Sequence, residues 1–352
     1  MLLYIHIPFC DSKCFYCAFN SYTSLHSLRD DYMDALIIQL EDGLINNNKK
    51  VETIFIGGGT PSTIKASQYK RIMEIVKPYL IDNCEITIEA NPNSASKEWL
   101  KEIREIGINR VSFGVQSFDD KKLKFLGRNH NKNQAIEAIN NANNVGFKNI
   151  NCDIIYDTQL DTKELLENDL KIIKTLPINH ISAYSLTIEE GTKFFNKSSV
   201  QVENEELARF LFDEFYKLGF SQYEISNFAL NIDARSKHNL GYWQYKEYLG
   251  VGSGAVGCID NKRLYSRKDV QKYIENPLKY DEIEELTLDD VIVEKVLLGF
   301  RSVVGVDKNI LNNNSQEKLR VLLENNKIEE KENMIYSKDF MLADELSLYL
   351  EI

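Results

Sequence analysis

Along the first half of the chain the spacing of apolar residues switches repeatedly between two periods. Short runs rich in β-branched and aromatic residues, "LLYIHI", "VETIFIG", "EITIEA", "RVSFGV", "NINCDIIY" and "HISAYSL", alternate with stretches whose apolar positions recur every three to four residues. After the first run, Met33, Leu36, Ile37, Leu40 and Leu44 fall on one helix face. Another helical pattern spans about residues 67 to 80, and a third surrounds Trp99, Ile103 and Ile106, with Ser96 as N-cap and Gly107 as stop. Two shorter helical patterns follow the fourth run, the second ending at Gly146, and the helix after the fifth is ended by Pro177. Six such units in succession predict a parallel sheet, because each strand must return by a crossover. Its strands are expected to be buried on both faces and to read as nearly continuous apolar runs.

Near residue 190 the rhythm stops. A helix from about 203 to 218, closed by Gly219, leads into an irregular aromatic and Gly-rich stretch through 257. Beyond about 265 the pattern predicts several short helices, then two strand-like pieces, "NMIYS" and "FMLAD". The expected organisation is an α/β barrel over 1–190, an accessory region over 191–262 and a small α/β, winged-helix-like domain over 263–352. The clusters "NNANN" and "LNNNS" read as helix ends and loops.

Charge narrows the partners. Lys plus Arg number 42 against 53 Asp plus Glu, a net charge of −11, which argues against a general nucleic-acid or anionic-membrane binder. An anionic ligand would need a local basic pocket. No apolar run approaches the ~18 residues of a membrane span, and "MLLYIHIPFC" lacks the pattern of a signal peptide, so the cytoplasm is the default expectation.

The chemistry concentrates in "CDSKCFYCAF". Cys10, Cys14 and Cys17 sit too close together for an ordinary disulfide framework, whereas Cys84, Cys152 and Cys258 are isolated and read as small buried residues. Three such thiolates suit zinc or an iron–sulfur cluster. A zinc site would need a fourth ligand, which His6 or His26 could supply, while three ligands on a cluster leave one iron open. "GGGTPS" after the second run is either a tight turn or a place where backbone meets a ligand. Glu89, Gln116 and Asp153 lie within or at the ends of three further runs and Arg128 in the loop after one of them, at or near the C-terminal side where parallel β/α barrels bind ligands.

C-x3-C-x2-C after a first strand resembles the radical S-adenosylmethionine (radical SAM) superfamily. The resemblance implies a partial (β/α)6 barrel and a [4Fe-4S] cluster on Cys10, Cys14 and Cys17, whose unique iron chelates SAM and whose electron cleaves it to methionine and a 5′-deoxyadenosyl radical. It assigns Gly58, Gly59 and Thr60 to the methionine end of SAM. "YIHIPFC", "IEANP", "VSFGVQSF" and "LGRNH" narrow the likeness, over about residues 2 to 300, to the oxygen-independent coproporphyrinogen III oxidase group. There Tyr4 and Tyr16 match cofactor-contacting aromatics, and Glu89, Gln116, Arg128 and Asp153 match SAM-binding residues.

Two departures separate this chain from the oxidase: Phe19 stands where the oxidase carries a further cysteine, and the oxidase's longer N-terminal segment has no counterpart in this sequence. "HNLGYW", with His238, Tyr242 and Trp243, resembles a motif of the haem chaperone branch, where it is associated with haem binding. An imidazole can ligate iron and flat rings can face a porphyrin, although a buried loop histidine and a core tryptophan would look the same. Val256 replaces a histidine common in that branch, and "IIYDTQL" replaces its usual Gly-Leu-Pro. The branch implies haem as ligand, delivery to haem-acceptor proteins, an electron donor for the cluster, and leaves open a transient membrane-protein contact and a homodimer. The alternatives are oxidative decarboxylation of coproporphyrinogen III to protoporphyrinogen IX, and radical SAM chemistry on an unrelated substrate with a structural His238.

Overall fold

The computed structural model describes residues 1–350. Six strands, β1 (Leu2–Ile7), β2 (Val51–Gly58), β3 (Leu80–Ala90), β4 (Arg110–Gln116), β5 (Asn149–Tyr156) and β6 (His180–Ser185), lie side by side in chain order and run parallel. The crossovers carry α1 (Arg29–Asn47), α2 (Ala66–Val76), α3 (Lys97–Glu105), α4 (Asp120–Leu126), α5 (Lys132–Asn144) and α6 (Lys163–Ile173). Each helix turns its apolar stripe to the sheet; α1 buries Met33, Leu36, Leu40 and Leu44. The Ser96 hydroxyl accepts from the Trp99 N–H at the start of α3, and Gly107 beyond its end has φ +109°, a backbone state costly for any side chain.

The strands differ from the expected apolar runs. Their helix-facing positions are apolar, among them Leu3, Ile5, Ile54, Ile56, Ile88, Val111, Phe113 and Ile150. The alternate positions are polar: His6, Thr53, Glu85, Thr87, Arg110, Ser112, Asn151, Asp153, His180 and Ser182. Many of them bond to one another, although Thr87 Oγ1 and Arg110 Nη2 are buried without a partner. Asn151 Nδ2 donates to Ser112 Oγ (2.7 Å) and Asp153 Oδ1 (2.6 Å), and its Oδ1 accepts from His180 Nδ1 (2.6 Å). The second His180 nitrogen then accepts from the Tyr223 hydroxyl (2.7 Å), and Arg110 lies 3.8 Å from Glu85.

The sheet continues past the barrel on both sides. After α7 (Glu205–Lys217), β7 (Ser221–Gln222) and β8 (Asn227–Ala229) extend it antiparallel beyond β6. Helix α8 (Lys237–Trp243) packs on β2, and β9 (Tyr248–Val251) joins β1 in parallel. β10 (Val256–Ile259), β11 (Lys262–Ser266) and, after α9 (Val270–Glu275), β12 (Tyr280–Glu285) complete twelve strands. The sheet thus runs to Glu285, beyond the expected division at 262/263. A second core follows on α10 (Leu288–Phe300), β13 (Val306–Asp307), α11 (Asn313–Glu324), β14 (Ile328–Lys331), β15 (Met334–Ser337) and α12 (Ala343–Leu350), built from Val296, Phe300, Leu319, Ile335 and Leu346.

"NMIYS" is a strand, but "FMLAD" is the start of α12 and the turn before it. Ala343, Leu346 and Leu350 recur at helical spacing and are buried, and the Asp339 carboxylate accepts from the Met341 N–H at the entry turn.

Candidate functional site

Cys10, Cys14 and Cys17 lie on the loop after β1, all as free thiols, Cys10 buried and the others half-buried. Local bonds shape this loop: the Cys10 N–H donates to Tyr22 O (3.1 Å), and Lys13 Nζ donates to Phe19 O (2.8 Å) and Ser21 Oγ (3.0 Å). Distant segments anchor it. Asn20 Nδ2 donates to the carbonyls of Ser253 (3.1 Å) and Lys268 (3.0 Å), and the Tyr22 hydroxyl to Lys268 O (3.1 Å). Burial pushes the Cys10 and Cys17 thiols up; the Thr60 hydroxyl, 3.3 Å from Cys10 Sγ, opposes this at Cys10.

The Gly-rich run after β2 passes directly beneath. The Gly59 N–H donates to Ile7 O and the Thr60 N–H to Phe9 O, both at 2.7 Å. A Cβ on Gly59 would stand 2.8 Å from Phe9 O and 3.0 Å from Cys10 Sγ, and one on Gly58, at φ +109°, 2.5 Å from the His6 ring. Glycine is required here by close approach of backbone to the thiol loop.

These residues wall a cavity of about 410 Å³ that also receives Tyr16, Phe19, Asn91, Tyr184 and, from the barrel, Glu89, Gln116, Arg128 and Asp153. Arg128 Nη1 donates to Cys14 Sγ (3.2 Å), and Nη2 to Asn91 Oδ1 (2.6 Å) and Gly114 O. Glu89 Oε2 accepts from the Gly58 N–H (3.1 Å). Its carboxyl is pushed up to about 8, first by loss of water and then by the Asp153 charge. Asp153 rises to about 6 by burial, held back by bonds from Asn151, Ser182 and Ser112 and by the Arg128 charge. Burial also raises the Tyr16 phenol, against the pull of Arg128.

Between about pH 5 and 8 the folded chain therefore keeps a proton on Glu89 that the unfolded chain has released, so ligand-free stability falls as pH rises through that window. Glu89→Gln removes this slope. The variant is expected to melt at nearly the wild-type temperature at pH 5.5 and above it at pH 8.5. A melting profile with unchanged pH dependence would refute the raised carboxyl.

Gln116 ends β4 at φ +73°, unusual for a side chain with a Cβ, and its buried Oε1 has no hydrogen-bond partner. Arg128 Nε is likewise buried and unsatisfied. Orphaned polar atoms and backbone strain on the wall of one cavity are the marks of a ligand site. Every SAM- and cluster-assigned residue singled out from the sequence lines this cavity except Tyr4, whose hydroxyl donates to His6 Nδ1 (2.9 Å); the two histidines considered as zinc ligands do not line it either, His6 being bonded to Tyr4 and to Asn20 O and His26 lying 4.0 Å from Asp11. Sequence reasoning passed over Asn91, which ties Thr60 (3.2 Å) to Arg128; its position two residues after Glu89 in "EANP" was the available signal.

The "HNLGYW" residues lie elsewhere. His238 is buried, Nδ1 bonded to Thr53 Oγ1 (2.7 Å) and Nε2 to the Tyr242 hydroxyl (3.2 Å), its ring stacked on Phe55. In this arrangement neither nitrogen is free for iron. Trp243 is half-buried with its indole N–H unpartnered, and Tyr242 opens onto a separate groove.

Among the described residues no group of three His, Cys, Asp or Glu side chains converges to hold a metal ion. Zinc would draw its ligands to within ~2.3 Å of one point, whereas each thiolate of a four-iron cluster holds a different iron. Three free thiols on one loop, the glycine cradle beneath Cys10 and the orphaned Gln116 and Arg128 atoms fit such a cluster and a ligand beside it.

Residues 4–191 match the Radical SAM superfamily. The Bacillus subtilis (strain 168) protein named heme chaperone HemW is 37% identical over 324 residues, covering 87% of this chain and 84% of that protein. This chain is a radical SAM protein of the HemW family. The Escherichia coli (strain K12) heme chaperone HemW is 36% identical over 269 residues, 73% of this chain and 70% of that protein. The solved structure of coproporphyrinogen III oxidase (HemN) from Escherichia coli superposes on this radical SAM protein with a TM-score of 0.82, covering 99% of this chain and 89% of that one. At 21% identity that likeness speaks for the fold. No described helix is long and apolar enough to cross a membrane.

Proposed function

We propose that this radical SAM protein is a haem chaperone that carries a [4Fe-4S] cluster on Cys10, Cys14 and Cys17, binds SAM beside it, and passes haem to acceptor proteins. The observation that carries the reading is the identity with the Bacillus HemW protein across most of both lengths. Phe19 supports it. Where the oxidase pattern places another thiol, this chain sets an exposed phenyl ring on the cavity wall.

A cluster in this cradle supplies a redox-active iron with a position left for a ligand. The chain's own residues do the rest. Gly58, Gly59 and Thr60 offer backbone to the methionine end of SAM, and Glu89 and Asp153 face its cationic groups across the cavity. The raised Glu89 carboxyl means that a cation binds there at neutral pH with release of a proton. Gln116 Oε1 and Arg128 Nε gain the partners they lack, and Tyr16 closes the wall beside Arg128. Tyr4 holds His6, which in turn holds the cluster loop through Nε2 and Asn20 O (2.9 Å). The net charge of −11 accords with a protein that does not act on nucleic acid, and the cytoplasm is the location this reading takes.

The test uses anaerobically reconstituted protein. With SAM, a strong reductant and coproporphyrinogen III, it is expected to yield no protoporphyrinogen. With haem it is expected to give a stable complex that transfers haem to an apo-haem protein. Sustained decarboxylation, or no haem binding, would overturn the proposal.

A further inference from the structure

Helix α6 carries a charge where its pattern calls for an apolar residue. Leu166, Leu170 and Ile173 form the stripe it buries, and Asp169, 3% exposed, lies in that same stripe. A carboxylate taken out of water is costly unless it is bonded, and this one is bonded to one short segment. Its Oδ2 accepts from the Ser117 hydroxyl and its Oδ1 from the Phe118 N–H, both at 2.8 Å. These are the two residues that follow Gln116.

The chain is held on both sides of Gln116. Before it, Arg128 Nη2 donates to Gly114 O and His130 Nε2 to Val115 O (2.9 Å). After it, Asp169 takes the Ser117 and Phe118 donors, and Ser117 Oγ accepts from the Asp119 N–H (3.0 Å). Between these anchors Gln116 keeps φ +73° and an unpartnered Oε1, and the pairing of β4 with β5 slips in register between Phe113 and Gln116. A strained residue persists only where its surroundings over-determine it.

We propose that Asp169 is a positioning residue for SAM: by gripping Ser117 and Phe118 from α6 it holds Gln116 in the conformation that presents its side chain to the cavity. The inference rests on the reading of that cavity as the SAM site and adds to it a residue that does not line the wall.

The carboxylate is itself braced. Lys122 on α4 is fully buried, its Nζ donating to Ile155 O (2.6 Å) and to Asp161 Oδ1. Burial pushes the Asp169 carboxyl up to about 6, and the Lys122 charge is the first influence opposing that rise. Asp161 also accepts from the Thr158 N–H (2.8 Å) and hydroxyl (2.9 Å). The stretch "DTQLD", which opens where the branch usually has Gly-Leu-Pro, thus ends in the carboxylate that pairs with Lys122. One buried charge cluster serves the turns after β4 and β5. Buried ion pairs often add no stability over apolar residues of the same volume, so what this cluster contributes is geometry.

SAM affinity of the reconstituted protein, read from the change SAM causes in the electron paramagnetic resonance spectrum of the reduced cluster, tests this. Asp169→Ala is expected to weaken SAM binding at least about tenfold with iron and sulfide content unchanged, whereas Asp169→Asn, which keeps an acceptor for the Phe118 N–H, stays within about threefold of wild type. In a Gln116→Ala background Asp169→Ala should cost less than about twofold more, because its effect runs through Gln116. Leu319→Ala in the second core should lower the melting temperature and leave SAM affinity unchanged, which separates positioning from stability. Ser117→Ala removes one of the two bonds and should weaken SAM binding about threefold, so it carries the test if Asp169→Ala fails to fold. Wild-type SAM affinity in folded Asp169→Ala or Ser117→Ala, or an equal loss with and without the Gln116 side chain, would overturn the inference. A wild-type protein that loads its cluster and binds no SAM would instead remove the reading of the cavity, so the two failures are distinct.

Discussion

Cys14→Ala is expected to yield a folded protein with essentially no iron or sulfide after anaerobic reconstitution. The three thiols sit on one loop that the rest of the chain holds in place, and Arg128 already directs an N–H to Cys14 Sγ. No other cysteine can take over. Cys84, Cys152 and Cys258 are buried on β3, β5 and β10, and none lines the cavity. Cys14 is only half-buried and its removal leaves the barrel core intact, so circular dichroism should match wild type. Cys152→Ala serves as the control and should load normally. Normal iron and sulfide in folded Cys14→Ala would overturn the ligand assignment.

The second large effect belongs to Gly59→Val. Its Cβ would press on the carbonyl oxygens of Phe9 (2.8 Å) and Ile7 (2.9 Å), which are backbone and cannot swing away. Relief requires parting the cysteine loop from the Gly-rich run, whose 2.7 Å hydrogen bonds then lengthen. Both cluster loading and SAM affinity should fall, the latter by at least about tenfold, or ~1.4 kcal/mol. Gly146→Ala separates this from general strain. That glycine has φ +100° but open space around it, so the variant should lose about 1 kcal/mol of stability and keep its SAM affinity. Equal SAM affinities for wild type and folded Gly59→Val would refute the cradle.

The period of the apolar residues was enough to read six β/α units in order, because each helix stripe and each capping or stop residue, such as Ser96 and Gly107, acts locally. The polar lining of the barrel was not legible that way. Ser182 looks like a surface residue until the sheet curves round and Asn151, itself bonded to His180, accepts from its hydroxyl. "FMLAD" misled because its apolar residues are consecutive at the front, and only the continuation through Leu346 and Leu350 has helical spacing.

The cluster motif and the residues of the cavity wall were visible because a parallel barrel places strand ends together whatever lies between them. The fate of His238 depended on Thr53 and Phe55, 185 and 183 positions earlier in the chain, which no local pattern links to it. Asp169 and Ser117 likewise meet only when α6 folds back against the end of β4.

Asn20 and Tyr22 give the cysteine loop a history. The thiols lie at positions 10 to 17, yet the carbonyls that pin their loop belong to Ser253 and Lys268, more than 230 positions later. During synthesis at ~5–20 residues per second the loop therefore spends many seconds outside the ribosome without its anchors. The cysteines are made long before the segments that fix their loop, and under the proposed function iron and sulfide would meet the anchored loop only once Lys268 has emerged.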